Sequence, residues 1–563
     1  MNEPHKNKTF VWALFAVFTL ISLYALGIRT LVPPDEGRYA EMAREMFVSG
    51  DWITPRLNGI KYFEKPPLQA WMNAASFALF GLGDWQARLW TGLCGIGGVL
   101  LTGYAGSKVF GPRVGFYAAL VLGSCFYWVA CTQINSLDMG LSGMMTIALC
   151  ALLIAQRDGA GTRERRTWML ACWAGMALAV LSKGLIGLML PGGVLVVYTV
   201  ITRDWRLWTR LHLGPGLLLF FAIAAPWFVL VAIANPEQPA FFFIHEHWDR
   251  FFLKEHHREQ AWHVFFVLSA IGIVPWLGVL GQSLALGARR GDHLPGLFRP
   301  RLMLLVWAVF IVLFFTKSNS KLPGYILPIF PALALLVANY LDIASRRSRM
   351  INAALAALVG VALLATVPFM PALAGRTGEA VLYQAYQPWV LAAGVTALAG
   401  GTLAWLLARR SDARAENSPD RFVLVLAIAG FATTGLLLAG FEPIGQMRAG
   451  ANLLPAIRAE LKADTKIYSV GTYEQSLTFY LGRTVTLVDY LDEFSFGLQQ
   501  QPELAIPTVP AFVAQWTRDA AAGVRDVAII RADIYNDLKQ KGVPMRIVAQ
   551  DARRTVIAND VTP

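Results

Sequence analysis

The chain alternates between long apolar runs and short polar breaks, and the runs set its architecture. Stretches of ~20 apolar residues recur, and a helix of that length crosses a bilayer. Thirteen spans are predicted, at 10–28, 88–106, 114–131, 139–156, 167–182, 185–201, 214–234, 263–284, 302–316, 324–342, 351–372, 387–408 and 422–440. One further apolar run, 68–82, decides the side of every later loop, depending on whether it crosses. The basic residues settle the matter. If 68–82 does not cross, Lys108, Arg113, Arg157, Arg163, Arg165, Arg166, Arg203, Arg206, Arg210, Arg346, Arg347 and Arg349 all share the side of the N-terminus. The positive-inside rule makes that side cytoplasmic, and a crossing at 68–82 would invert the bias. We therefore read 68–82 as a re-entrant or interfacial helix on the outer face, which also places the C-terminus outside. Residues 1–9 carry Lys6 and Lys8, and 10–28 reads as an uncleaved anchor.

The polar stretch between the first two spans is the densest in charge. Pro33 and Pro34 stop the preceding helix, and Asp35 reads as the N-cap of the next. Tyr39, Met42, Ala43, Met46 and Phe47 recur on one helical face, with Arg38, Glu41, Arg44 and Glu45 on the other. That pattern predicts a short helix lying in the bilayer interface. Residues 62–67, YFEKPP, should be extended, because each proline drives its predecessor out of the helical region. After Phe441 the pattern changes. Short strand signals at 466–470, 484–488, 527–530 and 545–549 alternate with helical ones, which predicts a small α/β domain. The predicted fold is thus an all-α polytopic membrane domain over 1–442, with interfacial helices in its first outer loop, 29–87. A separate α/β domain, 443–563, follows outside the membrane. No catalytic residue is expected in it, and its acids, such as Asp489 and Glu493, are expected to be exposed.

Composition narrows the class. Of 563 residues, 56% are hydrophobic and 15% charged, against about a quarter charged in soluble proteins. The net charge of +12 needs no nucleic acid, because the basic residues sit where loop topology puts them. Cys94, Cys125, Cys131, Cys150 and Cys172 lie within or at the ends of apolar runs, with neither disulfide nor zinc spacing.

On this topology the outer loops collect the chemistry. They hold Asp35, Glu36, Arg38, Tyr39, Tyr62, Glu64 and Lys65; Asn135 and Asp138; Lys183; the 235–262 loop; and 316–328. Two carboxylates on separate loops, Asp35 and Asp138, suit a reaction in which positive charge develops at a sugar C1. A helix cap and a polar span end are the structural alternatives for them. Lys65, Arg38, Lys183, Arg250, Lys317 and Lys321 are cations that could meet phosphates or lipid head groups. Glu64, His245, His247 and Asp249 could contribute to a divalent-ion site, although no complete ligand set is visible. The aromatic-rich 240–253 reads as an interfacial helix. A transporter would instead concentrate charge near the bilayer midplane.

Taken together, PPDEGRYAEMAREM, DWITPRLNGIKYFEKPPLQAW, TQINSLDMG, SKGLIG, the HEHW run from His245 and SKLPGYILP resemble the bacterial aminoarabinosyltransferases of glycosyltransferase family 83. The likeness runs over nearly the whole chain, and the YFEKPPL and SKLPGY segments separate it from protein O-mannosyltransferases. It implies a GT-C fold in the bacterial inner membrane, active on the periplasmic side. The implied reaction moves 4-amino-4-deoxy-L-arabinose from undecaprenyl phosphate to a lipid A phosphate with inversion, which confers resistance to cationic peptides such as polymyxin. By resemblance Asp35 is the essential carboxylate and Asp138 the acid of the second outer loop. Lys65 grips the donor phosphate, and Tyr39, Tyr62, Arg250 and Tyr325 contact donor or pocket; Arg38 and Lys183, from the outer-loop reading, are expected as further substrate-binding cations. Glu64 and His245 match a pair that can hold Zn2+, and no cofactor is required. The alternatives are a polyprenyl-phosphate-dependent transferase of another sugar, such as galacturonic acid or mannose, to lipid A or protein, and a lipid or solute transporter.

Overall fold

In lipid a helix satisfies its own backbone, so the apolar runs have little choice of structure. The computed structural model describes residues 4–249, 260–289, 298–375, 377–410 and 418–559. Among them, nine helices are long and apolar enough to cross a membrane, or eleven if each of two bent pairs is one span. The other two predicted spans form the helices Thr162–Lys183 and Ile186–Thr202. Every predicted span is therefore helical, and the chain is a multi-pass membrane protein. The run 68–82 forms the helix Leu68–Phe80, 13 residues long, which is not one of the candidate spans.

Two spans expected to be continuous are broken. Pro112–Leu122 meets Phe126–Thr132 at 65°, and Val264–Gly272 meets Leu277–Ala288 at 111°. Pro275, which has no N–H to give a helix, lies in the second break. The breaks face each other. The Phe126 N–H donates to the Val274 carbonyl at 2.9 Å, and Trp276 Nε1 donates to Ser124 Oγ at 3.0 Å. Polar groups released by each break are thus taken up by the other.

The first outer loop holds the helix Asp35–Ser49 and a minimal hairpin, β1 (Arg56–Leu57) and β2 (Ile60–Lys61). Asn58 and Gly59 join the two strands with φ of 57° and 76°, the left-handed pair that a tight Asn-Gly turn requires. Asn58 then docks on the trailing domain: its side chain donates to the Val485 carbonyl and accepts from the Val485 N–H, both at 2.7 Å.

That trailing domain carries a six-stranded sheet. Its strands are β3 (Lys466–Val470), β4 (Thr486–Val488), β5 (Ala505–Ile506), β6 (Asp526–Ile530), β7 (Arg546–Gln550) and β8 (Thr555–Ala558), in the order β5-β4-β3-β6-β8-β7. Strands β3 to β6 are parallel, while β8 runs antiparallel to both β6 and β7. Four strands fall where expected. The two-residue β5 and the short apolar β8 carry too little periodicity to be seen in sequence.

The helix Asp35–Ser49 departs most from expectation. Its charged face does not meet water: Glu36, Glu41, Arg44 and Glu45 are all buried. Its apolar face is covered too. Tyr39 and Met42 pack with Tyr62, Leu137 and Tyr473, and Ala40, Ala43 and Met46 pack with Ala70, Phe77 and Phe479. Most of this buried charge is tolerated because it is paired, Arg44 holding both Glu41 oxygens at 2.7 Å, while Glu45 accepts from the Gly59 N–H. Gly37 permits the closeness, since a Cβ there would fall 2.4 Å from the Ser476 nitrogen. The trailing domain, rather than lipid, is what this helix lies against.

Candidate active site

A buried polar network fixes the frame. Arg88 binds both Glu36 oxygens, at 2.6 and 2.9 Å, and donates to the carbonyls of Leu26, Arg29 and Thr30. Glu36 also accepts from the Asn135 N–H at 2.9 Å, and Asn135 accepts from Gln69 and Asn73. Burial raises the Glu36 carboxyl, but Arg88 beside it holds the net value below the usual carboxylate range. The first loop, the second loop and the Leu68–Phe80 helix are locked together by one charge pair. Glu36 is thus structural.

Asp35 stands differently. The helix N-cap is Pro34, and the first helical bond runs from the Arg38 N–H to the Pro34 carbonyl. Asp35 is the first helical residue rather than the N-cap, contrary to the sequence reading. Its side chain is 52% exposed, while that of its neighbour Glu36 is buried. It also contacts Arg38 at 3.2 Å. Arg38 in turn forms a 2.6 Å ion pair with Glu493 of the trailing domain.

Tyr39 and Tyr62 are buried behind these charges. Burial pushes both phenols well above their ordinary range, helped by Asp35 at Tyr39 and by Glu64 at Tyr62. Both are therefore neutral hydrogen-bond donors at any working pH. The Tyr39 hydroxyl feels Asp35, Arg38, Glu64 and Asp138 together, which makes it the meeting point of the first and second loops.

Lys65 is held rather than free. Its Nζ bonds the Glu246 carboxylate and the Glu64 carbonyl, both at 2.7 Å. Bends at Glu64 and Lys65 turn the ammonium back onto its own backbone, so 62–67 is not extended throughout. Glu246 comes from Phe241–Asp249, which winds as a π-helix in place of the expected amphipathic helix. In the same segment His245 stacks on Phe241 at 5.3 Å, and Phe241 stacks on Phe496 of the trailing domain at 4.0 Å. Arg250 lies outside the described residues.

Asp138, Lys183 and Tyr325 form a second cluster from three loops. Lys183 Nζ bonds Asp138 Oδ1 and lies 4.7 Å from the centre of the Tyr325 ring. The backbone at Gly324 comes so close that a Cβ would sit 2.2 Å from Asp138 Oδ2.

The site thus offers one exposed carboxylate, two paired lysines, an arginine and two neutral phenols beneath the trailing domain. Such a set can bind phosphates and stabilise positive charge at a sugar carbon. The zinc expectation meets no support. Among the described residues no three His, Cys, Asp or Glu side chains lie together, and Glu64 with His245 falls short of the usual ligand number. Glu246 and Glu493 are not singled out by the sequence. Glu246 lay within the noted HEHW run, whereas Glu493 carries no local signal and was expected to be exposed. Its side chain is only 7% exposed.

The comparisons follow the same division of the chain. The model of the aminoarabinose transferase C-terminal domain matches residues 453–559, and that of dolichyl-phosphate-mannose-protein mannosyltransferase matches residues 8–238. The chain is 31% identical over 428 residues to the undecaprenyl phosphate-alpha-4-amino-4-deoxy-L-arabinose arabinosyl transferase of Aeromonas hydrophila, covering 74% of this chain and 75% of that one. The Edwardsiella ictaluri protein of the same name is 32% identical, with 66% and 67% covered. The crystal structure of ArnT from Cupriavidus metallidurans bound to undecaprenyl phosphate superposes with a TM-score of 0.91 at 39% identity, covering 99% of each chain. Its apo form gives 0.89 at 40% identity. With the fold shared along nearly its whole length, the trailing domain matched and a relative 31% identical over three quarters of both chains, the chain belongs to the aminoarabinose transferase family of membrane glycosyltransferases.

Proposed function

We propose that the protein transfers 4-amino-4-deoxy-L-arabinose from undecaprenyl phosphate to a phosphate of lipid A, at the periplasmic face of the bacterial inner membrane. The observation that carries this reading is the exposed Asp35 carboxylate, set beside Arg38 and Tyr39 while Glu36, Glu41 and Arg44 of its helix are buried in ion pairs. The names of the relatives support the donor. A lipid A phosphate oxygen attacks C1 of the sugar from the face opposite the leaving group. The C1–O bond to undecaprenyl phosphate breaks, and the bonding pair leaves on the lipid phosphate. The acceptor is already ionised, so no strong base is needed, and Asp35 stabilises the positive charge that grows at C1. Lys65 meets the departing phosphate, exchanging Glu246 for it. Asp138 orients Lys183 against Tyr325, and Tyr39 and Tyr62 donate hydrogen bonds to the sugar.

Mass spectrometry of lipid A from a host lacking its own transferase, with and without this protein, tests the proposal. The expected product is lipid A gaining aminoarabinose. A gain of another sugar, or unchanged lipid A with the protein present and the donor made, overturns it.

A further inference from the structure

The trailing domain reaches into the site at a point that the fold alone does not require. Gln475 Nε2 donates to Glu493 Oε1 at 2.7 Å, and the other Glu493 oxygen lies 2.6 Å from Arg38 Nε. Arg38 Nη1 continues to Asp35 Oδ1 at 3.2 Å. One guanidinium is therefore shared between a carboxylate of the membrane domain and one of the trailing domain. The sharing is unequal. Glu493 is buried and Asp35 is half in water, so the buried contact is less screened and sets where the guanidinium rests.

We infer that Glu493 is a positioning residue for the transfer: it anchors Arg38 so that Arg38 holds the Asp35 carboxylate toward the reacting carbon. The trailing domain is then part of the active site rather than an appendage. Three further contacts keep Glu493 in register. The Gly37–Ser476 approach seats the helix on the domain, Asn58 grips Val485, and Phe496 stacks on Phe241 in the segment that supplies Glu246. Misplacing a charge by an ångström is costly in such a site, because catalytic electrostatics depends on prearranged groups. The inference rests on Asp35 being the acting carboxylate.

The experiment measures kcat and donor KM of the purified full-length protein in lipid vesicles, with undecaprenyl-phosphate aminoarabinose and lipid A. Glu493→Gln, Arg38→Gln, their double variant and Asp35→Asn are compared at matched melting temperature. Glu493→Gln is expected to lower kcat about tenfold, the scale of one charge-assisted contact, with donor KM nearly unchanged. The double variant is expected to lose no more than Arg38→Gln alone, because Glu493 acts through Arg38. If Glu493→Gln folds poorly, Glu493→Asp, which keeps the charge but shortens its reach, should show an intermediate loss in kcat. A wild-type kcat in Glu493→Gln with Asp35→Asn dead overturns this inference and leaves the role of Asp35 standing. Losses that multiply in the double variant also overturn it. An active Asp35→Asn variant removes both.

Discussion

At the scale of single residues, the charges divide into those that hold the protein together and those left able to act. Glu36 and Asp35 are neighbours in sequence with opposite fates. Glu36 is saturated by Arg88 and backbone N–H groups, while Asp35 keeps half its surface open. Lys65 lies between these extremes: Glu246 and the Glu64 carbonyl hold it, and in the proposed reaction a phosphate takes the place of Glu246. Lys65→Ala should therefore weaken binding of undecaprenyl phosphate about tenfold or more, since a charge-assisted contact is worth roughly 1.5–3 kcal/mol. Titration of the lipid into purified variant protein checks this, and unchanged affinity would remove Lys65 from the phosphate site. The sequence exposed most of these residues, because charge is conspicuous in an apolar chain. It could not reveal their partners. Whether Asp35 caps its helix or faces the cleft depends on the Pro34 backbone, and Glu493 meets Arg38 only through a fold that separates them by hundreds of residues.

At the scale of elements, the helix Asp35–Ser49 is where periodicity misled. Its amphipathic pattern is real, but both faces are buried, one against membrane-domain helices and the other beneath the sheet domain. A pattern of polar and apolar faces does not distinguish lipid and water from two protein surfaces when the charges pair internally, as Arg44 and Glu41 do. The Asn-Gly hairpin, by contrast, was legible in RLNGIK. The close approach at Gly37 yields a direct test. Gly37→Ala places a Cβ 2.4 Å from the Ser476 backbone, so the domain must shift away. Limited proteolysis should then release the C-terminal domain faster than in wild type, and identical digestion would show that the contact is dispensable.

The same helix carries a pH-dependent element. Burial, the nearby Glu41 carboxylate and their mutual repulsion push the Glu45 carboxyl up to about 8, despite the Gly59 N–H and Arg44. A raised carboxyl is protonated more readily in the folded state than in the unfolded one. Its contribution to stability is present at low pH and is lost as pH climbs from the unfolded value towards about 8. The melting temperature of wild type minus that of Glu45→Gln should therefore fall across this window. A flat difference would show that Glu45 ionises normally.

At the scale of the whole molecule, the spans were legible because lipid allows few structures, and the broken ones were not. The 111° turn at Pro275 and the 65° bend after Leu122 depend on each other's hydrogen bonds, which no local pattern encodes. The orientation proposed from the arginines remains directly testable. A reporter fused after Arg113 should read cytoplasmic, and one after Leu137 periplasmic; the reverse pair would move the site to the wrong side of the membrane. The proposed reaction depends on Asp35 serving the chemistry. Asn is nearly isosteric with Asp and Pro34, not Asp35, is the N-cap residue, so Asp35→Asn should leave folding and donor binding intact. The decisive measurement is the rate of aminoarabinose transfer from undecaprenyl phosphate to lipid A by purified Asp35→Asn protein whose donor affinity matches wild type. Transfer is expected at background level, and transfer near the wild-type rate would contradict a catalytic role for Asp35.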